Sequence, residues 1–206
     1  MIRISRTVLF WAVMFILSGC IGGKSVDPVY LRVAQGAAAS CEKIGSGLPR
    51  VALKHFTSLP ALNSETVILA DGNVLKPDYR WSWEGTPAEI FDLAAGPGLG
   101  CMKHFEVVTP YRPGVERTFI LSGVITSFEL HRDGGDRFLA SVRYSLWDGE
   151  GRILLARREV ECAVPVKSID GQAVTEAAGM AVDGIMVRTA GWMDGLSGTL
   201  SVQGSK

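Results

Sequence analysis

Most of what marks an enzyme is missing from this sequence. Its 206 residues hold only three histidines, His55, His104 and His131, and these are far apart. No HExxH pair brings two of them onto one helix face, which excludes a zinc site of that type. Cys101 and His104 stand three apart as a lone half-site. No GxSxG surrounds a serine, which removes the hydrolase elbow. Gly23-Lys24-Ser25 ends like a phosphate-binding loop, but Ser18 stands where the first glycine belongs. A true loop of that kind also follows a strand, and none leads into this one. Asp133 and Asp136 lie together in a glycine-rich segment, where aspartate is a turn former before it is a calcium ligand. The expectation is a protein that is not an enzyme and carries neither cofactor nor metal.

Charge of one sign is lacking too. Lys and Arg number 21, and so do Asp and Glu. Without a clustered basic face the chain is no nucleic-acid binder. No run of lysines and arginines marks an anionic-lipid patch either. Cysteine is scarce, with Cys20, Cys41, Cys101 and Cys162 the full set. Cys162 alternates with Val160 and Val164 while Glu159 and Glu161 take the other side, so it reads as a small core residue on a strand. Cys41 and Cys101 fall in loop-like segments and are the candidate disulfide pair.

One long apolar run is present, at the start. Arg3 and Arg6 precede Val8-Leu9-Phe10-Trp11-Ala12-Val13-Met14-Phe15-Ile16-Leu17. That run is shorter than the ~20 apolar residues needed to cross a bilayer. It has the length and basic flank of a signal-peptide core. The following Leu17-Ser18-Gly19-Cys20 resembles the lipobox of bacterial lipoprotein precursors. Cleavage before Cys20 would leave its thiol to carry lipid, and several acyl chains would anchor the chain stably. Ile21, in place of Asp, resembles the outer-membrane sorting of enteric lipoproteins. Without Arg3 and Arg6 the remaining 187 of 206 residues carry two more acids than bases, and they suffice for one domain with a sizeable core. The expected organisation is a signal peptide over 1–19, a lipidated tether over 20–29, one domain over 30–193 and a flexible tail over 194–206.

Within that domain, period-two patterns predict strands at 30–34, 49–56, 66–70 and 105–108. Residues 76–84, with Tyr79, Trp81 and Trp83 alternating, fit either an aromatic strand or an ordered loop. Thr86-Pro87 opens a short helix, and Gly96-Pro97-Gly98 is expected to stop it. Strands at 117–131, 138–147 and 152–164, joined by glycine-rich turns, predict an antiparallel meander. Residues 169–192 then switch to helical spacing, with Val174, Ala178, Ala181, Val182 and Ile185 on one face. Gly179 and Gly184 weaken that helix, so packing must hold it. No segment repeats. The fold class is therefore α+β: two layers, a mainly antiparallel sheet with helices covering one face.

Residues spread from Tyr30 to Trp192 resemble the ABC-type transport auxiliary lipoproteins, the PqiC-like family. They are Tyr30-Leu31, Trp81-Ser82-Trp83-Glu84-Gly85-Thr86-Pro87, Gly123 to Glu129, Ala140 to Asp148 with Gly151-Arg152, and Ala173, Ala177 and Ala181 through Ile185 to Trp192. The chain departs from the family pattern in its short first helix. The resemblance implies an outer-membrane lipoprotein facing the periplasm. Its partners would be an inner-membrane ABC transporter and an MCE (mammalian cell entry) domain protein, and its cargo phospholipid or another apolar molecule. Tyr79, Trp81 and Trp83 are candidates for the docking surface, since aromatic anchors dominate interfaces; the alternative buries them beside the sheet. Two other roles stay open: a direct lipid carrier with an apolar pocket, and an assembly lipoprotein that regulates an envelope enzyme. Self-association into a homo-oligomer also stays open.

Overall fold

Alternation at Val142, Tyr144 and Leu146 puts three side chains on one side of a strand, and all three are fully buried. They belong to the centre of a sheet. The computed structural model of the protein describes residues 29–34 and 47–203. Among these, nine strands form one sheet: β1 (Val29–Leu31), β2 (Arg50–Leu53), β3 (Thr57–Ser58), β4 (Thr66–Asp71), β5 (Val74–Trp83), β6 (Glu106–Val108), β7 (Phe119–His131), β8 (Arg137–Asp148) and β9 (Leu154–Pro165). Two helices, α1 (Pro87–Leu99) and α2 (Gly171–Gln203), pack on each other, and α2 lies against β8 and β9.

The α+β class is observed, and the meander β7–β8–β9 is antiparallel as expected. The sheet as a whole is mixed, which corrects the expectation of a mainly antiparallel one. One side of β7 is taken by β8. Its other side is shared, end to end, by β2, β3 and β4, all parallel to it. β2 also pairs parallel with β6, and β1 parallel with β5. Only β4 and β5 form another antiparallel pair. Hairpin signals mark neighbours in sequence, and these parallel pairs join segments far apart, so no local pattern announces them. The strand expected over 49–56 stops at Leu53, and a separate short strand, β3, begins only at Thr57. Between them the backbone N–H of Phe56 donates to Asp92 Oδ1 at 2.9 Å, and its ring lies over Gly123. A Cβ at Gly123 would be 2.5 Å from that ring.

α1 starts as predicted. Thr86 Oγ1 accepts from the Glu89 N–H and the Glu89 carboxylate accepts from the Thr86 N–H, a reciprocal capping box. It does not stop at Gly96-Pro97-Gly98, however; it runs through to Leu99. Pro97 forfeits the bond its N–H would make to the Leu93 carbonyl, and Leu93 lies on the solvent side, where water can take that carbonyl. Gly98 has a positive reason to be there. A Cβ on it would sit 2.6 Å from Met186 Cβ of α2, so the two helices touch only because it is bare.

α2 buries the expected face: Val174, Ala178, Ala181, Val182 and Ile185 are all at most 2% exposed. It also continues to Gln203, taking in most of the segment expected as a tail. Met193 is fully buried and Leu196 and Leu200 pack on the core, so the apolar spacing carries on past Trp192. Asp194 secures the extension by accepting the N–H groups of Lys103 and His104 at 2.9 and 3.0 Å.

Two glycines of α2 answer to contact. A Cβ on Gly179 would lie 2.9 Å from the Ala34 carbonyl oxygen, and one on Gly184 would lie 2.5 Å from Cys162 Sγ but 3.4 Å from Cys162 Cβ. Gly184→Ala should therefore cost stability by about 1–3 kcal/mol through overpacking. In the Cys162→Ala background, with the sulfur gone, the same change should become neutral or favourable, because alanine is the better helix former. Denaturant unfolding of the four proteins gives the coupling; equal penalties in both backgrounds would disprove this contact as the cause.

Candidate functional site

Of the residues singled out in sequence, Cys20 and Cys41 lie outside the described residues. Cys101, just beyond α1, is disulfide-bonded, and Cys162 is a free, buried thiol on β9. Trp81 and Trp83 are not a docking surface. They are 8% and 1% exposed, and the Trp83 ring lies 5.2 Å from Phe128 and 5.8 Å from Phe138. Tyr79 is 76% exposed. The register explains the split. Opposite β4, pairing jumps from Thr66↔Ser82 to Val67↔Asp78, so residues 79–81 are an insertion in β5. A bulge of this kind re-aims side chains, and alternation no longer places Tyr79 with the tryptophans.

The insertion has its own clasp. Asp78 is buried, and Arg80 reaches back to donate from Nε to Oδ1 at 2.9 Å and from Nη2 to Oδ2 at 2.6 Å. The Arg80 guanidinium also lies 4.6 Å from the Trp81 ring centroid. Those hydrogen bonds hold the Asp78 carboxyl below its ordinary value of 3.8. A depressed carboxylate stabilises the fold fully above its unfolded pKa, and the contribution disappears as pH falls through the lower folded value. Acid unfolding of Asp78→Asn should accordingly lose part of its slope below pH 3.8, as followed by circular dichroism. An unchanged slope would remove Asp78 from the acid response.

The histidines are each paired with carboxylates rather than with one another. His55 Nδ1 is 2.7 Å from Asp92 Oδ2, and His104 Nδ1 is 3.4 Å from Asp194 Oδ1. His131 stands between Glu129 and Asp133 at 2.9 and 3.2 Å. Among the described residues no group of three or more His, Cys, Asp or Glu is arranged to hold a metal ion.

What the sequence did not mark is a cleft of about 410 Å³ where the segment after β1 meets the start of α1. Arg32 grips Glu84 there through both guanidinium arms, Nη2 to Oε1 at 2.6 Å and Nε to Oε2. Val33, Ile90 and Leu93 supply its apolar walls, and Glu89 and Asp92 add charge. The Arg32 hydrogen bonds keep Glu84, and the Thr86 N–H and hydroxyl keep Glu89, below the usual carboxylate range. The cleft thus sets the side chains of Glu84, Glu89 and Asp92 against one guanidinium. Asp92 continues through His55 into a second, smaller hollow of about 200 Å³ lined by Leu53, Lys54, Thr109 and Pro110. Leu93, 66% exposed, forms the ridge between the two. The residues lining this cleft include no nucleophile. A ridge with an acidic hollow on one side and a mixed-charge hollow on the other, both partly apolar, can seat a protein segment. The sequence signals near it were the Thr86-Pro87 helix start and the Trp81 to Pro87 segment of the family resemblance; the approach of Arg32 to residues 84–93 is a long-range event that no local motif reports.

No protein-family model matches the chain, and none of the curated proteins matches it. Solved structures do. A Xanthomonas campestris protein of family DUF330 superposes with a TM-score of 0.68 at 14% identity, covering 85% of this chain and 99% of that one. An uncharacterized protein superposes with a TM-score of 0.62 at 10% identity, covering 81% and 98%. The hypothetical protein CT253 from Chlamydia trachomatis follows at 0.54 and 10%, covering 72% and 97%. At such identities the finding is one of architecture: this chain has the fold of the DUF330 protein, nearly end to end.

Proposed function

We propose that this chain is a lipoprotein anchored through Cys20 to the outer membrane, facing the periplasm. There it serves as the non-enzymatic docking component of an MCE-type ABC transport system for phospholipid. The observation that carries the reading is a conjunction: a lipobox at one end, and a body whose cleft between β1 and α1 offers charge and apolar contact but no reacting group. The positions behind the PqiC-like resemblance fit a scaffold. Trp83, Phe128, Tyr144, Ala181 and Ile185 are all at most 1% exposed, so they maintain the fold and leave the ridge at Leu93 to make contacts. Among the described residues no helix is long and apolar enough to cross a membrane. In this reading Cys41 closes the disulfide with Cys101. A non-reducing digest should recover those two peptides linked; a different peptide linked to Cys101 would end that assignment.

The decisive experiment is a crosslinked pull-down of the anchored protein from its own envelope, with proteins and lipids both identified. Recovery of an MCE-domain protein or an ABC subunit is the expected result. Co-purified lipid without any transporter subunit would favour a direct carrier. A cell-wall or secretion protein in their place would mean that fold, and not function, is what the resemblance reports.

A further inference from the structure

β1 covers only Trp81–Trp83 of β5. From Val74 to Arg80, the outer side of β5 therefore has no strand partner among the described residues. This free edge is also apolar. Val29 (56% exposed), Tyr30 (67%), Val74 (55%), Leu75 (42%) and Tyr79 (76%) all stand on these two strands. They are five of the twelve large hydrophobic side chains exposed among the described residues, more than any other pair of neighbouring strands carries.

A bare edge ordinarily invites another strand. This one is built against that. Pro77 has no N–H to donate, Lys76 brings a charge, and the insertion at residues 79–81 breaks the register a partner strand would need. An occupant that needs no register fits better. The chain's own course says which one. β1 runs parallel to β5, so the chain enters β1 from the end of the sheet that carries Val74 and Leu75. Cys20 lies nine residues before Val29, a reach of roughly 30 Å even when fully extended. An anchor at Cys20 cannot hold this edge far from lipid.

Resting on the lipidation reading above, we propose that the β1–β5 edge lies against the membrane surface in the anchored protein. The depth follows from the chemistry. Tyr30 and Tyr79 suit the headgroup level, where an amphipathic ring has one wet end. Unpaired backbone groups along the edge keep it out of the hydrocarbon. Arg80 is neutralised by Asp78, which leaves Lys76 as the one other base from Val74 to Arg80, so the contact rests on apolar burial and needs no anionic lipid. Glu84 and the cleft lie beside Tyr30 at the far end of the same edge, since Tyr30 pairs with Ser82 and Arg32 follows β1.

The test uses the full-length lipidated protein in phosphatidylcholine vesicles doped with a phosphatidylcholine that carries a photoactivatable diazirine near the headgroup. Lipid adducts should concentrate in peptides spanning 29–31 and 74–80. Tyr30→Ser, Leu75→Ser and Tyr79→Ser combined should cut that labelling about tenfold, as expected for losing three apolar contacts. All three side chains are exposed, so the fold survives, and an unchanged Tm checks it. Labelling centred on 87–99 or 153–155 of an acylated protein overturns the edge assignment alone. Protein–protein crosslinks through 74–80 of equal yield without vesicles would give the edge to a second copy and overturn it too. Intact mass of the same sample reads Cys20 acylation, and an unacylated protein overturns both this inference and the anchor beneath it.

Discussion

Replacing Trp83 by alanine should destabilise the protein by about 3–5 kcal/mol. Trp83 ends β5 with 1% of its surface exposed and is the largest of the fully buried side chains. Its ring is tilted against Phe128 and meets Phe138 edge-on, and Phe128 in turn contacts Phe91 of α1. Alanine would leave a cavity beside two aromatic rings held by β7 and β8, elements that cannot collapse into it together. In a domain of this size each kcal/mol moves Tm by about 2–4 °C, so a fall of roughly 6–20 °C is expected in a calorimetric scan. Trp83→Phe should cost much less. The indole Nε1 has no hydrogen-bond partner, so phenylalanine gives up volume but no polar contact. A docking residue would behave otherwise, since exposed substitutions usually fall within ±0.5 kcal/mol. An alanine variant that melts within 2 °C of the parent would return Trp83 to the surface.

Cys20→Ala should empty the outer-membrane fraction of this protein while leaving its fold untouched. Each buried methylene contributes about 0.8 kcal/mol to membrane affinity; one acyl chain holds a protein marginally, and several hold it stably. Removing the thiol removes every chain at once. Residue 20 stands nine positions before the first strand, so the unfolding midpoint should not move. Fractionation with immunodetection reads the first effect and circular dichroism the second. Persistence of the variant in the outer membrane would place the anchor elsewhere, because the β1–β5 edge alone has too little apolar area to replace acyl chains.

The parts of the fold visible in the sequence were the local ones. Alternation at Val142, Tyr144 and Leu146, with glycine turns at either end, announced the meander. Thr86 and Pro87 announced the start of α1, and Val174 through Ile185 the buried face of α2. What stayed hidden depends on distant partners. β2, β3 and β4 are short, and nothing in them shows that all three share one side of β7. Gly98 looked like a helix stop because Met186, the residue that requires it, is on another helix. Tyr79, Trp81 and Trp83 looked equivalent because a three-residue insertion leaves no trace in composition. The cleft was invisible for the same reason, since Arg32 and Glu84 become neighbours only once β1 has docked on β5.

The shared side of β7 has a consequence for how the chain is made. An exported polypeptide emerges amino end first, and so presents β2, β3 and β4 before their common partner exists. Only β4 finds a neighbour at once, in β5. Val51 must wait for Val107 and Phe119, and Thr57 for Val124. In the export that the proposed anchor requires, the amino-terminal half is for that interval an open, sticky chain. The meander, whose contacts are short-range, can close as soon as residue 165 has emerged and then acts as the template on which the earlier strands are laid. Synthesis order and folding order run opposite to each other. Export factors that shield nascent strands would therefore be needed for the first half of this protein far more than for the second.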